Sequence, residues 1–261
     1  MLRFINHFYL FKPMLVDVHA HLDFPDFNKD LDEVIKNAEK SGMSHIITSG
    51  VNYESNKKTL EIAKKYKVVH ASLGLYPLDI LNLTEEILDS HIDFIRKNKG
   101  DIIAVGEVGL DFVSREKEKE QKKNFLKIIS LVEKINKPVV VHSRKAELET
   151  IELLESSNIK KIVMHCFSGG MKLVRRIEDN GWNFSIPTNI VHSNHFQTLV
   201  ERVSINKLLT ETDSPYLSCF KGERNEPRNI VFSIKKISEI KKLNEDETKK
   251  LIFNNFNKIF F

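Results

Sequence analysis

The sequence predicts an α/β fold in which a single domain forms a (β/α)8 TIM barrel. Short apolar runs alternate with longer amphipathic segments along almost the whole chain, which is the pattern of alternating strands and helices. A chain of 261 residues is long enough for one such barrel. Histidine and carboxylate side chains follow several of the apolar runs, and barrel enzymes carry their chemistry at the carboxyl ends of their strands.

Eight segments have the composition of buried β-strands. They are short, rich in Val, Ile and Leu, and separated by longer polar or amphipathic stretches. The predicted strands cover residues 15–18, 45–48, 68–73, 102–105, 138–141, 162–164, 182–186 and 207–210. An open doubly wound sheet is the alternative arrangement, but no Gly-rich phosphate loop follows the first strand, where such a sheet often has one.

Longer segments with apolar residues at every third or fourth position predict the helices. They cover residues 30–40, 54–66, 84–97, 116–135, 146–155, 171–180, 230–241 and 245–258. Gly42 follows the first helix as a stop, and Thr84 has the side chain of an N-terminal cap. Asn244 and Glu247 resemble a capping box at the start of the last helix.

The composition is that of an ordinary globular protein and argues against several classes. The 40 basic and 36 acidic residues give a net charge of only +4 and are interspersed, so the sequence has no basic arm for nucleic acid. No apolar run reaches the roughly 18 residues that cross a membrane. Two cysteines, Cys166 and Cys219, give no disulfide framework and fit a reducing cytosol, which predicts a cytoplasmic protein. Nothing in the sequence implies an obligate protein partner.

The beginning of the chain differs from the rest. Residues 1–13 are rich in aromatic side chains and end directly before Met14 and the first strand. They lack the small-residue cleavage pattern of a signal peptide. We therefore interpret residues 1–13 as an N-terminal extension and residues 14–261 as the barrel domain.

Two histidines one residue apart lie at the end of the first predicted strand. Because the side chains of an extended strand alternate between its faces, His19 and His21 point the same way and can bind one metal ion together. Four further residues with metal-binding or acid–base chemistry follow other predicted strands: Glu107, His142, His165 and Asp213. The barrel prediction brings all six to one rim, at the carboxyl ends of the strands.

This set of candidate ligands is larger than one metal ion needs. Four imidazoles and two carboxylates exceed what one tetrahedral zinc can bind. They suit two divalent metal ions about 3.5–4 Å apart, bridged by a carboxylate and a water. Two such ions with Glu107 and Asp213 leave a net charge of about +2, which favours an anionic substrate. These residue types accept Mg, Mn or Zn, so the identity of the metal stays open.

The motifs that contain these residues follow one another in a characteristic order. H-x-H-x-D is followed by G-E-V-G-L-D, V-H-S-R, H-C-F-S-G, E-T-D-S-P-Y-L and the segment Asn225-Glu226-Pro227. In this order they resemble the TatD-like metal-dependent deoxyribonucleases, which belong to the amidohydrolase-type barrel superfamily. The resemblance extends from Met14 to the C-terminus.

The resemblance implies a divalent-metal-dependent hydrolase that cleaves phosphodiester bonds in DNA, often as an exonuclease, with a metal-activated water at a two-metal site. The expected partner is therefore DNA, as a single strand or at its ends. The ligands that the resemblance implies for the first ion are His19, His21 and Asp213; those for the second are His142 and His165, with Glu107 as the bridge.

Further roles are expected for residues near this centre. Asp213 is expected to orient the attacking water and accept its proton. Arg144 is a candidate for a phosphate contact through its fork of donors, with pairing to a neighbouring carboxylate as the alternative. Arg224 and Asn225, on the loop after the eighth strand, are further candidates for binding substrate. We expect activity to fall below about pH 6, where protons compete with metal for histidine.

Some positions near the motifs depart from the family or invite a second role. The family usually has Gly-x-His-Pro after the third strand, where this chain has Gly74-Leu75-Tyr76-Pro77. Tyr76 can donate a hydrogen bond but is a poor ligand for these metals. Phe112 occupies a position where the family tends to have Tyr, so a hydroxyl near the mouth of the barrel is expected to be missing. Cys166 is expected to be a small buried residue on the opposite face of its strand.

Three other functions fit part of the pattern. A C–N bond or lactone hydrolase of the same superfamily commonly bridges its ions with a carbamylated lysine, but the fourth strand ends in Glu107 and has no lysine there. A catalytically idle metal-binding or scaffold protein has no use for open coordination positions. A nucleic-acid-binding module without catalysis is expected to have a basic stripe with interleaved aromatic residues, which this sequence lacks.

Overall fold

The computed structural model describes residues 14–113 and 117–261, and it shows a (β/α)8 TIM barrel. The strands are parallel and pair in chain order. They are β1 (Leu15–Ala20), β2 (Met43–Ser49), β3 (Val69–Leu73), β4 (Ile102–Asp111), β5 (Val139–Arg144), β6 (Ile162–Met164), β7 (Asn183–Pro187) and β8 (Leu208–Glu211). The predicted fold class is confirmed. The doubly wound alternative is wrong, because the strand order never reverses.

Hydrogen bonds between the first and last strands bring the two ends of the sheet together. The Asp213 N–H donates to the His19 carbonyl (2.8 Å), and the His21 N–H donates to the Ser214 carbonyl (2.8 Å). Deeper in the barrel, the Thr210 hydroxyl donates to the Val16 carbonyl (2.6 Å). These bonds fix the carboxyl ends of β1 and β8 against each other.

Helices surround the strands. They are α1 (Leu31–Lys40), α2 (Tyr53–Lys65), α3 (Glu85–Lys97), α4 (Glu118–Ile135), α5 (Glu147–Glu155), α6 (Met171–Asp179), α7 (Asn194–Arg202), α8 (Ile230–Lys241) and α9 (Glu245–Phe260). The predicted caps are confirmed: Thr84 accepts a hydrogen bond from the Ile87 N–H, and Asn244 accepts one from the Glu247 N–H (2.7 Å). Residue 116, where the fourth helix was expected to begin, and the proposed extension 1–13 lie outside the described residues.

Helix α7 has no counterpart among the predicted helices. It lies between β7 and β8, and Ser193 caps it by accepting a hydrogen bond from the Phe196 N–H (3.4 Å). Its buried residues Phe196, Leu199 and Val200 have helical spacing, but the segment is short and its other positions are polar. The helical spacing of apolar residues was therefore present in the sequence, but it covers too few residues to predict a helix.

Strand β4 is longer than predicted, and this changes where Glu107 lies. The strand continues to Asp111 rather than ending at residue 105. Gly109 has a φ of +147°, and a Cβ there would lie 1.9 Å from the His142 carbonyl oxygen. The glycine therefore allows β4 and β5 to approach closely and does not mark a turn. Glu107 consequently lies within β4 rather than after it. His142 likewise lies within β5, which also extends further than predicted.

The strands are buried on both faces because helices cover the outer surface of the barrel. Every residue of β1 and β4 is buried, including the charged ones. This accounts for the nearly continuous Val and Ile runs from which the strands were predicted. Among residues 14–113 and 117–261, no helix has the length and apolar character that a bilayer crossing requires.

Candidate metal centre

A cavity of about 730 Å³ opens at the carboxyl ends of the strands. Its lining includes five of the six residues predicted to bind metal: His21, Glu107, His142, His165 and Asp213. His19 completes the set from beneath, fully buried, with its Nε2 atom 3.2 Å from the Nε2 atom of His21. The structure therefore brings all six predicted residues together at the rim where they were expected.

Four of these side chains form a cage of the right size for one cation. The Nε2 atoms of His19 and His21 lie 3.4 and 3.5 Å from Glu107 Oε2. The same two nitrogens lie 3.6 and 3.4 Å from Asp213 Oδ1. Ligands about 2.1 Å from a tetrahedral ion are separated by about 3.4 Å. The donor types and the spacing both fit a divalent metal ion.

A second group of donors lies on the other side of Glu107. Its Oε1 atom is 2.7 Å from His142 Nδ1 and 3.9 Å from His165 Nε2. The ligand atoms of Glu107, His142 and His165 all lie within 4.8 Å of one another. Two imidazoles and a carboxylate are a donor set that divalent metals accept. The two oxygens of Glu107 thus face two different groups of histidines.

Hydrogen bonds to the rear nitrogens orient three of the histidines. His21 Nδ1 donates to the Ser49 carbonyl (2.9 Å), and His19 Nδ1 is hydrogen-bonded to the Ser49 hydroxyl (3.2 Å). His165 Nδ1 donates to the Glu211 carboxylate (2.7 Å). In each case the Nε2 atom is left facing the cavity, and such contacts orient the ring and set the tautomer of metal-binding histidines.

Glu211 is fully buried and has a positioning role that the sequence analysis missed. Besides His165, it accepts hydrogen bonds from the Ser185 hydroxyl (2.6 Å) and from the Cys166 N–H (2.9 Å). The residue lies in the quoted motif E-T-D-S-P-Y-L, two positions before Asp213. Its role was not predicted because it depends on β6, β7 and β8 lying side by side.

His142 is oriented in the opposite way. Its Nε2 atom donates to the buried carboxylate of Asp111 (3.0 Å), which leaves Nδ1 facing Glu107. Asp111 is the last residue of the quoted motif G-E-V-G-L-D and was also missed. Tyr76 lines the cavity beside them.

Charges within the centre shift its pKa values strongly. Although burial favours the neutral imidazole, the Asp213 hydrogen bond and the Glu107 charge raise the pKa of His21 to about 9. Burial acts in the same direction on His165, but the charges of Glu211 and Asp213 raise its pKa to about 10. Burial favours neutral Glu107, yet hydrogen bonds from His142 and His19 hold its pKa well below the usual range.

Asp17 lies beneath the centre, and burial is the largest influence on its pKa. Burial raises the pKa of Asp17 to about 8, against the lowering effect of hydrogen bonds from the Thr212 hydroxyl (2.6 Å) and the Thr212 N–H (2.9 Å). These bonds tie β1 to the segment that leads into Asp213. Asp17 therefore holds the backbone of the centre and does not face the cavity.

Of the three candidate substrate-binding residues, only Arg144 lines the cavity. Arg144 is exposed, lines the cavity and makes no ion pair with any residue in the described parts of the chain. Arg224 lies away from the cavity, where it pairs with Asp30 (2.6 Å) and Glu226 (2.9 Å) and packs over the Phe27 ring. It therefore ties the loop after β8 to the segment before α1.

Asn225 is also directed away from the cavity. It is fully buried and donates to the Thr188 hydroxyl (2.8 Å) and to the Thr212 carbonyl (2.7 Å). Its side-chain oxygen accepts from Glu226 N–H and the Asn229 amide. Asn225 thus holds the loop after β8 in place, because its amide satisfies backbone and side-chain groups on both sides of the loop.

Two further expectations need correction. Phe112 is buried, at 3% exposed, and does not line the cavity, so a hydroxyl there would not lie at the mouth of the barrel. Cys166 is only partly buried and does line the cavity, because its backbone has a φ of +42° just after β6. The alternation rule did not hold for Cys166, since the strand has already ended there.

The fold and the convergent histidines and carboxylates define a barrel of the metal-dependent hydrolase class. The sequence model of the TatD related DNase family matches residues 16–261. The chain therefore belongs to that family.

Individual relatives agree with this assignment. An uncharacterised metal-dependent hydrolase of Methanocaldococcus jannaschii is 37% identical over 245 residues, which cover 94% of this chain and 96% of that protein. The human deoxyribonuclease TATDN3 is 34% identical over 258 residues, which cover 94% of each chain. The crystal structure of the TatD homologue YjjV from Escherichia coli K12 matches with a TM-score of 0.87 and 24% identity, covering 95% of this chain and 98% of that one. At that identity the structural likeness concerns the fold alone.

Proposed function

We propose that this protein hydrolyses phosphodiester bonds in DNA with two divalent cations held at the candidate metal centre. The observation that carries the proposal is the orientation of Glu107, whose Oε2 faces His19 (3.4 Å) and whose Oε1 faces His142 (2.7 Å). A carboxylate that directs one oxygen toward each of two ligand groups has the geometry of a bridging ligand. In this proposal His19, His21 and Asp213 would hold the first cation, and His142 and His165 would hold the second.

The chain's residues have distinct tasks in the proposed reaction. When bound, two divalent cations lower the pKa of a coordinated water and stabilise negative charge on the phosphoryl oxygens. Asp213 orients the attacking water and accepts its proton. In the metal-free centre, the His165 charge and the His21 hydrogen bond lower the pKa of Asp213 against the effect of burial, and in the loaded centre the bound cations would take over this effect and keep the carboxylate charged.

Substrate binding is proposed to depend on charge and on the size of the cavity. Two bound cations would exceed the charge of Glu107 and Asp213 by about +2, and the buried carboxylates of Asp111 and Glu211 beside the histidines reduce this excess. Open positions on the cations would still bind the anionic oxygens of the phosphate backbone. Arg144 adds a guanidinium at the cavity wall whose fork of donors suits a phosphate. Its freedom from ion pairs with the described residues favours this role over pairing with a neighbouring carboxylate.

The cavity favours the end of a strand as the substrate. Its volume of about 730 Å³ lies within the range, roughly 300–1,000 Å³, of cavities that enclose a small molecule. Four of the six candidate ligands are buried, and the side chains of His142 and Asp213 are only 13% and 14% exposed. Ligands this enclosed are more accessible to an unpaired strand end than to an internal phosphate of an intact duplex. We therefore propose an exonuclease that acts on single strands or frayed ends.

Digestion of an end-labelled oligonucleotide tests the proposal. Single-stranded and duplex DNA are incubated with Mg²⁺, Mn²⁺ or Zn²⁺, with a chelator as the control. We expect stepwise shortening from one end of the single strand that requires added metal. Cyclic amides and lactones are assayed in parallel, and hydrolysis of these with no cleavage of DNA would overturn the proposed substrate. Cleavage at internal positions only would contradict the exonuclease mode.

A further inference from the structure

We propose that Tyr76 and Asp111 are positioning residues that hold His142 in place for the second cation. The inference rests on the proposed function, because it assigns His142 to that cation. The inference goes beyond the proposed function because it gives a role to Tyr76, which occupies the position where a family histidine was expected. Tyr76 acts through Asp111 and His142 and does not need to contact either the cation or the substrate.

A continuous chain of hydrogen bonds links the three residues to Glu107. The Tyr76 hydroxyl donates to Asp111 Oδ2 (2.6 Å), and the same oxygen accepts from His142 Nε2 (3.0 Å). On the far side of the ring, His142 Nδ1 lies 2.7 Å from Glu107 Oε1. The tyrosine hydroxyl, the carboxylate and the imidazole therefore form one line that ends at the second group of candidate ligands.

The backbone of Asp111 is held firmly, whereas the orientation of its carboxylate depends on its side-chain partners. Asp111 is fully buried, and its Oδ1 accepts the Val113 N–H (3.0 Å). The Gln121 side chain clasps its backbone on both sides: Gln121 Oε1 accepts the Asp111 N–H (2.8 Å), and Gln121 Nε2 donates to the Asp111 carbonyl (2.7 Å). The backbone of Asp111 is thus fixed by β4 and α4, and its Oδ2 atom is held by Tyr76 and His142.

Tyr76 contributes both its hydroxyl and its ring. The Tyr76 backbone N–H donates to the Val51 carbonyl (2.7 Å), which anchors the segment after β3. Its ring meets the His142 ring edge to face, with centroids 5.0 Å apart and planes at 67°. Loss of the hydroxyl would leave Asp111 Oδ2 with a single donor and a gap beside it. The carboxylate could then rotate, and His142 would rotate with it.

The other three histidines do not depend on this chain of hydrogen bonds. His19 and His21 are oriented by Ser49, and His165 is oriented by Glu211. A defect at Tyr76 should therefore weaken the second cation and spare the first. This selectivity separates a positioning role from a general loss of stability.

Calorimetric titration of Mn²⁺ into metal-free protein tests the inference with Tyr76→Phe, which keeps the ring and removes the hydroxyl. We expect two binding events in the wild type, and an affinity for the weaker one reduced by about 10- to 100-fold in the variant, as for other outer partners of metal ligands. Half-maximal cleavage of DNA should require correspondingly more Mn²⁺, with kcat at saturating Mn²⁺ little changed.

Tyr66→Phe is the matched control, because it removes a hydroxyl that also donates to an aspartate, Asp32, on an exposed surface. It should leave both affinities unchanged. The inference is overturned if Tyr76→Phe binds both cations as the wild type does, if it weakens both equally, or if Tyr66→Phe has the same effect.

A second variant, Asp111→Asn, gives an independent reading. Because the Val113 N–H needs an acceptor, the amide oxygen takes the place of Oδ1 and the amide nitrogen faces His142. The His142 Nε2 must then accept, which moves its proton to Nδ1 and removes the lone pair that faces the second cation. Loss of the second binding event with retention of the first supports the inference, and retention of both overturns it.

The same titration separates this inference from the proposed function. If the wild-type protein binds two cations but cleaves no DNA, the proposed substrate is wrong. The metal affinities of the Tyr76 and Asp111 variants still test the positioning role in that case. A wild-type protein that binds fewer than two cations contradicts both.

Discussion

Binding of metal to this centre should release protons. In the metal-free protein, neighbouring carboxylates outweigh the effect of burial and raise the pKa of His21 to about 9 and that of His165 to about 10. Both side chains are therefore in the positively charged imidazolium form near neutral pH. The pKa of His142 is raised as well. A metal ion binds the neutral imidazole, so each proton must leave before its ligand can bind.

The size of the effect follows from these values. At about pH 7.5, removing the proton costs on the order of 2 kcal/mol at His21 and 3 kcal/mol at His165. Since His21 belongs to the first cation and His165 to the second, the first affinity is weakened by about 30-fold and the second by about 300-fold relative to a pH above both pKa values. Each affinity should therefore fall as the pH falls, by about one decade per pH unit below the pKa of its histidine when these two histidines alone are counted. At limiting metal, activity should begin to fall well above the pH 6 expected from unperturbed histidines.

Isothermal titration calorimetry measures this directly. The enthalpy of Mn²⁺ binding at one pH is compared in buffers with different ionisation enthalpies, and the slope gives the number of protons released. We expect two or three protons per chain near pH 7.5. Release of fewer than one proton, or an affinity that does not change between pH 7 and 9, would refute the assignment of His21 and His165 as charged groups in the metal-free centre.

Three further substitutions test other parts of the account. Asp213→Asn should lower kcat by about 10²- to 10⁴-fold while most of the metal stays bound, because the amide can ligate but cannot accept the proton; full activity at saturating metal would contradict the role as base. Glu211→Gln should weaken the second cation by about 10- to 100-fold, since its amide nitrogen would face His165 Nδ1 and reverse the tautomer; metal titration with unchanged affinity would rule this out. Gly109→Ala should destabilise the fold by several kcal/mol, because its Cβ would overlap the His142 carbonyl at a distance of 1.9 Å; an unchanged urea midpoint would count against the close approach of β4 and β5.

The barrel and the convergence of the six side chains were predictable because they depend on local patterns. Alternation along β1 places His19 and His21 on one side, and strand ends meet at one rim in any closed parallel barrel. The order of short motifs then led to the family, which the comparisons confirm. The fold class required only strand runs and their spacing, and small errors in strand length did not affect it.

The partners of the six residues could not be predicted, because they depend on contacts between strands. Glu211 reaches His165, and Asp111 reaches His142, only once the register of neighbouring strands is known. Arg224 shows a different error, because it was predicted to bind substrate and does not line the cavity. It follows a motif and carries a positive charge, yet it pairs with Asp30, far away in the chain. Sequence position alone does not separate such an arginine from one that lines the cavity.

The central claim is that Glu107 lies between two cations, and anomalous diffraction from crystals soaked in Mn²⁺ tests it most directly. We expect two anomalous peaks about 3.5–4 Å apart, one on each side of the Glu107 carboxylate. The peak nearer His19 and His21 should be joined by a second peak within ligand distance of His142 and His165. A single peak, or two peaks of which neither touches Glu107, would contradict the account.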